Sequence, residues 1–197
     1  MVGARILRTT ALLGIAVLGL ADASVSAAKL GLELSSASDF ALYTTSFSAM
    51  IVGLDTWSTS RLRRAQQGKF QIVGSPRRNE FEERRGFLTF LYFTVSAFYE
   101  ELVFRGAAFA IGNSMGINLG SVLVISAFLF ALQHVSFGLG AFYAFGFGLI
   151  FGSFYLLSSS LYPVVIAHAV GNIFTTFWTA PRFQAEERRL AQRFRLP

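Results

Sequence analysis

Cysteine is absent from the 197 residues. Disulfides, thiolate metal sites and a cysteine nucleophile are therefore excluded. Charge is scarce: Asp, Glu, Lys and Arg make up 14% of the chain, against about a quarter in a soluble domain. Histidine occurs twice. Between Gly86 and Ala180 there is no lysine and no aspartate. What fills the space is apolar: 53% of residues are hydrophobic and the mean hydropathy is +0.53. That balance belongs to an integral membrane protein.

The net charge of +6 does not imply nucleic acid. The positive residues cluster in Arg61–Arg85 and Arg182–Arg195, beside apolar segments. Flanking charge of this kind marks the cytoplasmic side of a membrane protein. No stacking aromatics or basic groove accompany it.

Along the chain, hydropathy predicts an all-α, polytopic transmembrane bundle of about six spans. Residues 1–57 hold the first two. The opening segment, "MVGARILRTTALLGIAVLGLADASVSA", has basic residues before a short apolar core and small residues after it, which also fits a signal peptide. Either way the downstream orientation is the same. A second span runs from about Phe40 to Trp57, and residues 58–85 form a basic cytoplasmic loop with a weak interfacial-helix pattern. A four-helix core follows in 86–180, at about Gly86–Ile111, Asn118–Gln133, Phe137–Leu157 and Leu161–Thr179. The tail, 181–197, is basic and reads as cytoplasmic. "GFGLIFG" lines one helix with small residues, permitting close packing. The chain thus reads as resident in the inner membrane of a prokaryote, with both termini cytoplasmic if the first span is uncleaved.

Five charged or histidine residues occur in the core: Glu100, Glu101, Arg105, His134 and His168. A charged residue inside a span costs about 2.5–3.5 kcal/mol on insertion scales, so each is a functional candidate. Glu101 and Arg105 are four apart, acid first, the favourable order for a structural ion pair. Glu100 is offset around the helix and reads as unpaired. Either histidine alone reads as a hydrogen-bonded structural residue. Together with an unpaired glutamate and Asn172, one turn beyond His168, they point to a site. Glu100 and His134 are equidistant from Ile117. In an antiparallel hairpin both lie about 25 Å below the turn. The same count leaves His168 and Asn172 up to about 15 Å from the level of His134.

With these residues the sequence resembles the CPBP family, which holds the CAAX prenyl endopeptidases and the bacteriocin-processing or immunity proteins of the Abi group. "EELVFR" (Glu100–Arg105), "FALQH" (Phe130–His134) and "HAVGN" (His168–Asn172) occur in order, with 34 positions from Glu100 to His134 and again from His134 to His168. The likeness covers about Phe87–Phe177. The chain is short for the family. The resemblance implies a glutamate-dependent intramembrane endopeptidase without metal or other cofactor. It makes Glu100 the general base, with His134 holding the attacking water and His168 with Asn172 forming the oxyanion site. Glu101 and Arg105 support them, and Phe130 walls the pocket.

Elementary chemistry assigns the work the same way. Hydrolysis of a peptide by water needs a base, a means of holding the water and donors for the developing oxyanion. Glu101, tied to Arg105, is the poorer base. Ser136 lacks the context of a nucleophile elbow. Two other readings stand beside this one. One is a non-catalytic immunity or scaffold protein of the same fold. The other is a metal-dependent hydrolase with Glu100, His134 and His168 as ligands, although no HExxH motif is present. The expected partners are the lipid bilayer and a peptide or protein substrate. That substrate could carry a prenylated C-terminus, a bacteriocin leader or a C-terminal sorting tail.

Of the 17 Lys and Arg residues, 13 lie in Arg61–Arg85 and in the tail after Pro181. Both segments are therefore expected to face the cytoplasm. Single cysteines at Gln67 and Gln192, in a chain with no native thiol, should resist a membrane-impermeant thiol reagent added to intact cells. Labelling of either reverses the topology.

Overall fold

The computed structural model describes residues 26–34, 36–66, 86–134 and 140–179, with backbone alone at 59–66 and 86–89. The candidate first span, most of the basic loop, Ser136 and the basic tail lie outside the described residues. Among those described, every regular element is helical. A short 3-10 turn, Ala28–Leu30, precedes α1 (Ala37–Gln66). Then come α2 (Gly86–Glu101), a π-helical segment (Leu102–Ala107) and α3 (Ala108–Ser114), which run on without a break. α4 (Leu119–Gln133), α5 (Gly140–Ser158) and α6 (Leu161–Phe174) follow, and α6 continues as a second π-helical segment, Thr175–Thr179.

The ends have local causes. Ser36 Oγ accepts from the Asp39 N–H at 3.2 Å and so caps the first turn of α1. Gly116, at φ +69°, makes the turn after α3. Asn118 Oδ1 then caps α4 by accepting from Gly120 N–H at 2.9 Å. Between α5 and α6, Ser159 sits at φ 52°, braced by the Ser158 hydroxyl donating to the Ser160 carbonyl at 3.0 Å.

α1 differs from the sequence expectation. It does not stop at Trp57 but continues to Gln66. The residues "STSRLRRAQ" include strong helix formers, and neither Gly nor Pro interrupts them. The stretch read as loop therefore begins as helix.

α5, and α6 with its π-helical end, are each 19 residues and apolar enough to cross a membrane; α4 is apolar but has 15 residues. α1 is long, but it carries Asp39, Asp55 and a basic C-terminal stretch. The outward surface is as informative as the core. Phe128 is 55% exposed, Phe142 75% and Leu157 65%. In water such a surface would be a liability; against lipid it is in its own solvent.

Inside, α1 packs on α6, α4 on α5, and α2 on α6. Phe47 of α1 stacks on Phe154 of α5 with ring centroids 3.9 Å apart. The glycines of "GFGLIFG" are not equivalent. A Cβ on Gly148 would lie 2.9 Å from Ala127 Cα and 3.2 Å from Ala127 O, so it meets backbone that cannot rotate away. One on Gly152 would strike the Leu123 side chain, whereas one on Gly146 meets nothing.

Gly148→Ala should therefore destabilise the protein by about 1–3 kcal/mol, as overpacking does. Gly146→Ala should be neutral or stabilising by up to about 1 kcal/mol, the helix propensity difference. Thermal unfolding of the two variants in detergent checks the contrast. Equal behaviour would contradict the close α4–α5 contact.

Candidate active site

The site is built around the junction of α2 with the first π-helical segment. Glu101 ends α2, and Arg105 lies within the segment. A π turn widens the helix by one residue and alters which carbonyls find partners, and such turns recur at functional sites. Here the Phe104 carbonyl accepts from the Ser126 hydroxyl of α4.

Glu101 and Arg105 are both 0% exposed. Arg105 Nη1 lies 3.0 Å from Glu101 Oε2 and donates to Oε1 at 3.1 Å. Its Nη2 donates to the Gly148 carbonyl of α5 at 3.0 Å. The guanidinium carbon sits 4.8 Å from the Phe130 ring centroid and 5.6 Å from that of Phe151. The cation thus has one carboxylate, one carbonyl and two aromatic faces, all charge-compatible. The i, i+4 pair read from the sequence is present, but it is part of a larger network.

Glu101 Oε1 also lies 2.6 Å from His168 Nδ1. A carboxylate accepts, so Nδ1 carries the proton and Nε2 is turned away from Glu101. That Nε2 lies 3.8 Å from Glu100 Oε2. His168 is stacked on Phe151, centroids 4.6 Å apart and planes 19° from parallel. Its ring is therefore held from two sides.

Glu100 is not unpaired, contrary to the reading from spacing. Its Oε1 accepts from Ser96 Oγ at 3.0 Å, one turn back on the same helix, and its Oε2 faces His168. Glu100 is 5% exposed.

His134 closes α4, and its Nδ1 meets the Phe130 carbonyl at 2.9 Å. A carbonyl only accepts, so this nitrogen is the donor and Nε2 the acceptor. The His134 ring folds back over Phe130, centroids 4.7 Å apart, and Phe130 touches His168 at 6.0 Å. Both histidine rings thus lie against the same phenylalanine, nearer each other than the offset of up to about 15 Å expected from helix counting. The His134 ring reaches back one turn, and α6 starts close enough to set His168 opposite Phe151 of α5. Asn172 lies one turn beyond His168 on α6 and is half-buried.

Sequence reasoning missed Ser96, Gly148 and Phe151. Ser96, at i−4 from a buried glutamate, carried a usable signal. Gly148 was read for its small size rather than for its carbonyl, and Phe151 is one of 22 phenylalanines. Among the described residues, no group of three or more His, Asp or Glu side chains is arranged to hold a metal ion.

No curated protein and no solved structure matches the chain. A family model does: that of the type II CAAX prenyl endopeptidases, Rce1-like, over residues 84–174. The match contains Glu100, Glu101, Arg105, Phe130, His134, His168 and Asn172, and the family consists of integral membrane proteases. That stretch, 91 of the 197 residues, spans the π-helical junction and both histidines and is similar to the Rce1-like CAAX protease family.

Proposed function

We propose that the protein is an intramembrane endopeptidase that hydrolyses a peptide bond with a water activated by Glu100. The observation that carries this is the pairing of two adjacent carboxylates with one histidine: Glu101 on Nδ1 at 2.6 Å and Glu100 near Nε2 at 3.8 Å. Water attacks the scissile carbonyl and gives its proton to Glu100, while His134 Nε2 helps to hold that water. His168, its Nδ1–H fixed on Glu101, presents Nε2 to the reaction, and Asn172 offers an amide N–H to the developing oxyanion. The leaving amine takes up the proton that Glu100 gained.

In this reading α1, the 86–114 helix and α4 also lie across the bilayer, with the site in its cytoplasmic half. The substrate is a membrane-associated peptide, and a prenylated C-terminal tail is the class that the family's activity supports first. Comparing protein termini between wild type and a deletion strain would find a bacteriocin leader or a sorting tail instead.

The two glutamates should separate. Glu100→Gln keeps the shape and removes the base. Cleavage of a prenylated CAAX peptide per folded molecule should then fall at least about a hundredfold, with abundance near wild type. Glu101→Gln strips Arg105 of its carboxylate inside an apolar bundle. Breaking a buried pair costs about 3–5 kcal/mol, so this variant should lose folded protein as well as activity. Adding Arg105→Gln to it should restore some abundance, and no change at Arg105 should rescue Glu100→Gln. Normal cleavage by Glu100→Gln ends the assignment, and a stable, inactive Glu101→Gln reverses it. Cleavage should also survive a strong chelator; its loss, with recovery on adding metal, would favour the metal-dependent reading.

A further inference from the structure

Asp55 lies outside the stretch matched to the family, in the helix that precedes it. It is an acid near the end of an otherwise apolar run, two residues before Trp57. Its carboxylate reaches across to the π-helical end of α6. Thr179 Oγ1 donates to Oδ2 at 2.6 Å, and Thr175 Oγ1 lies 3.2 Å from Oδ1. The Thr175 hydroxyl has one proton and also faces the Gly171 carbonyl at 2.8 Å, so Thr179 makes the firmer bond.

What this carboxylate grips is connected to the site. The Thr175 N–H donates to the backbone carbonyls of Gly171 and Asn172. Asn172 is one turn from His168. Above the grip, α1 and α6 touch where Gly171 leaves room for Ile51: a Cβ there would lie 2.7 Å from Ile51 Cγ2. The π segment is a wider, less regular turn than the α-helix it continues, and Asp55 spans one turn of it from outside.

We propose that Asp55 is a positioning residue. By holding Thr179 and Thr175, it fixes the end of α6 and so sets where Asn172 stands. α1 thereby becomes part of the catalytic assembly. The consequence for catalysis rests on the peptidase reading above; the grip itself does not. A misplacement of about 1 Å in a catalytic group can cost about a hundredfold in rate.

The test uses the full-length protein in detergent, with Thr179→Val, Asp55→Leu, Asp55→Asn and the double variant Asp55→Leu/Thr179→Val. Hydrogen exchange is measured over residues 171–179 and, as an internal reference, over α4. The prenylated CAAX peptide gives kcat and KM per folded molecule. Thr179→Val, which changes shape least, should speed exchange in 171–179 without changing α4. It should lower kcat about tenfold or more, with KM within about twofold. Asp55→Leu should do the same, and the double variant should be no worse than either, because one contact is being removed twice. Asp55→Asn keeps an acceptor oxygen for Thr179 and should retain most of the protection and the rate.

Unchanged exchange at 171–179 in Thr179→Val would overturn the grip. Faster exchange with unchanged kcat would overturn the positioning role and leave only a structural bond. If the wild type does not cleave the peptide, the peptidase reading fails on that probe, and the exchange measurement alone decides whether Asp55 holds α6.

Discussion

A guanidinium with no access to water is the constraint on which the site depends. Arg105 is 0% exposed. Removing such a charge from water costs several kcal/mol even after relaxation. The cost is offset only if every acceptor is in place: Glu101 on one side, the Gly148 carbonyl on the other, and the Phe130 and Phe151 rings over its faces. Those acceptors come from α2, α4 and α5. One cation therefore fixes three helices relative to each other. It also explains why α5 carries a glycine at 148, where a side chain would hold the α4–α5 pair apart.

The fixed charge orients the candidate catalytic groups. Glu101, anchored by Arg105, directs His168 through Oε1, the same oxygen that accepts from Arg105 Nη1. Phe151 touches both the cation and the imidazole, so the orientation of His168 depends on the same cluster. Phe130 does the equivalent for His134. The π-helical segment lets Glu100, Glu101 and Arg105 share one short stretch of helix, with the Phe104 carbonyl partnered from α4. The adjacent carboxylates thus have different surroundings: Glu101 within the ionic cluster, Glu100 beside a serine hydroxyl and the far nitrogen of His168.

Much of the helical layout was legible because lipid and core both demand apolar residues and the interruptions are strong ones. "GNSMGIN" and "SSSLYP" mark turns in sequence and in structure. The ionisable residues stood out because they are so few. The Glu101–Arg105 pair followed from spacing alone. Less was legible where common residues acquire a role through three-dimensional register. Nothing in "GFGLIFG" announces that one glycine's carbonyl holds an arginine. Hydropathy cannot reveal a π turn, since inserting one residue leaves composition unchanged. The extension of α1 beyond Trp57 was hidden by its charge, and Asp55 has no ionisable residue at i ± 3 or i ± 4 to mark it in sequence.

The central claim is that water, activated by a carboxylate, is the nucleophile. Running the cleavage in hydroxylamine tests it directly, because an acyl-enzyme partitions to a hydroxamate and direct attack by water does not. The account predicts a free carboxylic acid at the new C-terminus, carrying a single labelled oxygen when the reaction is run in ¹⁸O water. A hydroxamate formed at hydroxylamine levels that leave the uncleaved peptide intact would contradict it, and would place a covalent intermediate where Glu100 has been assigned a proton.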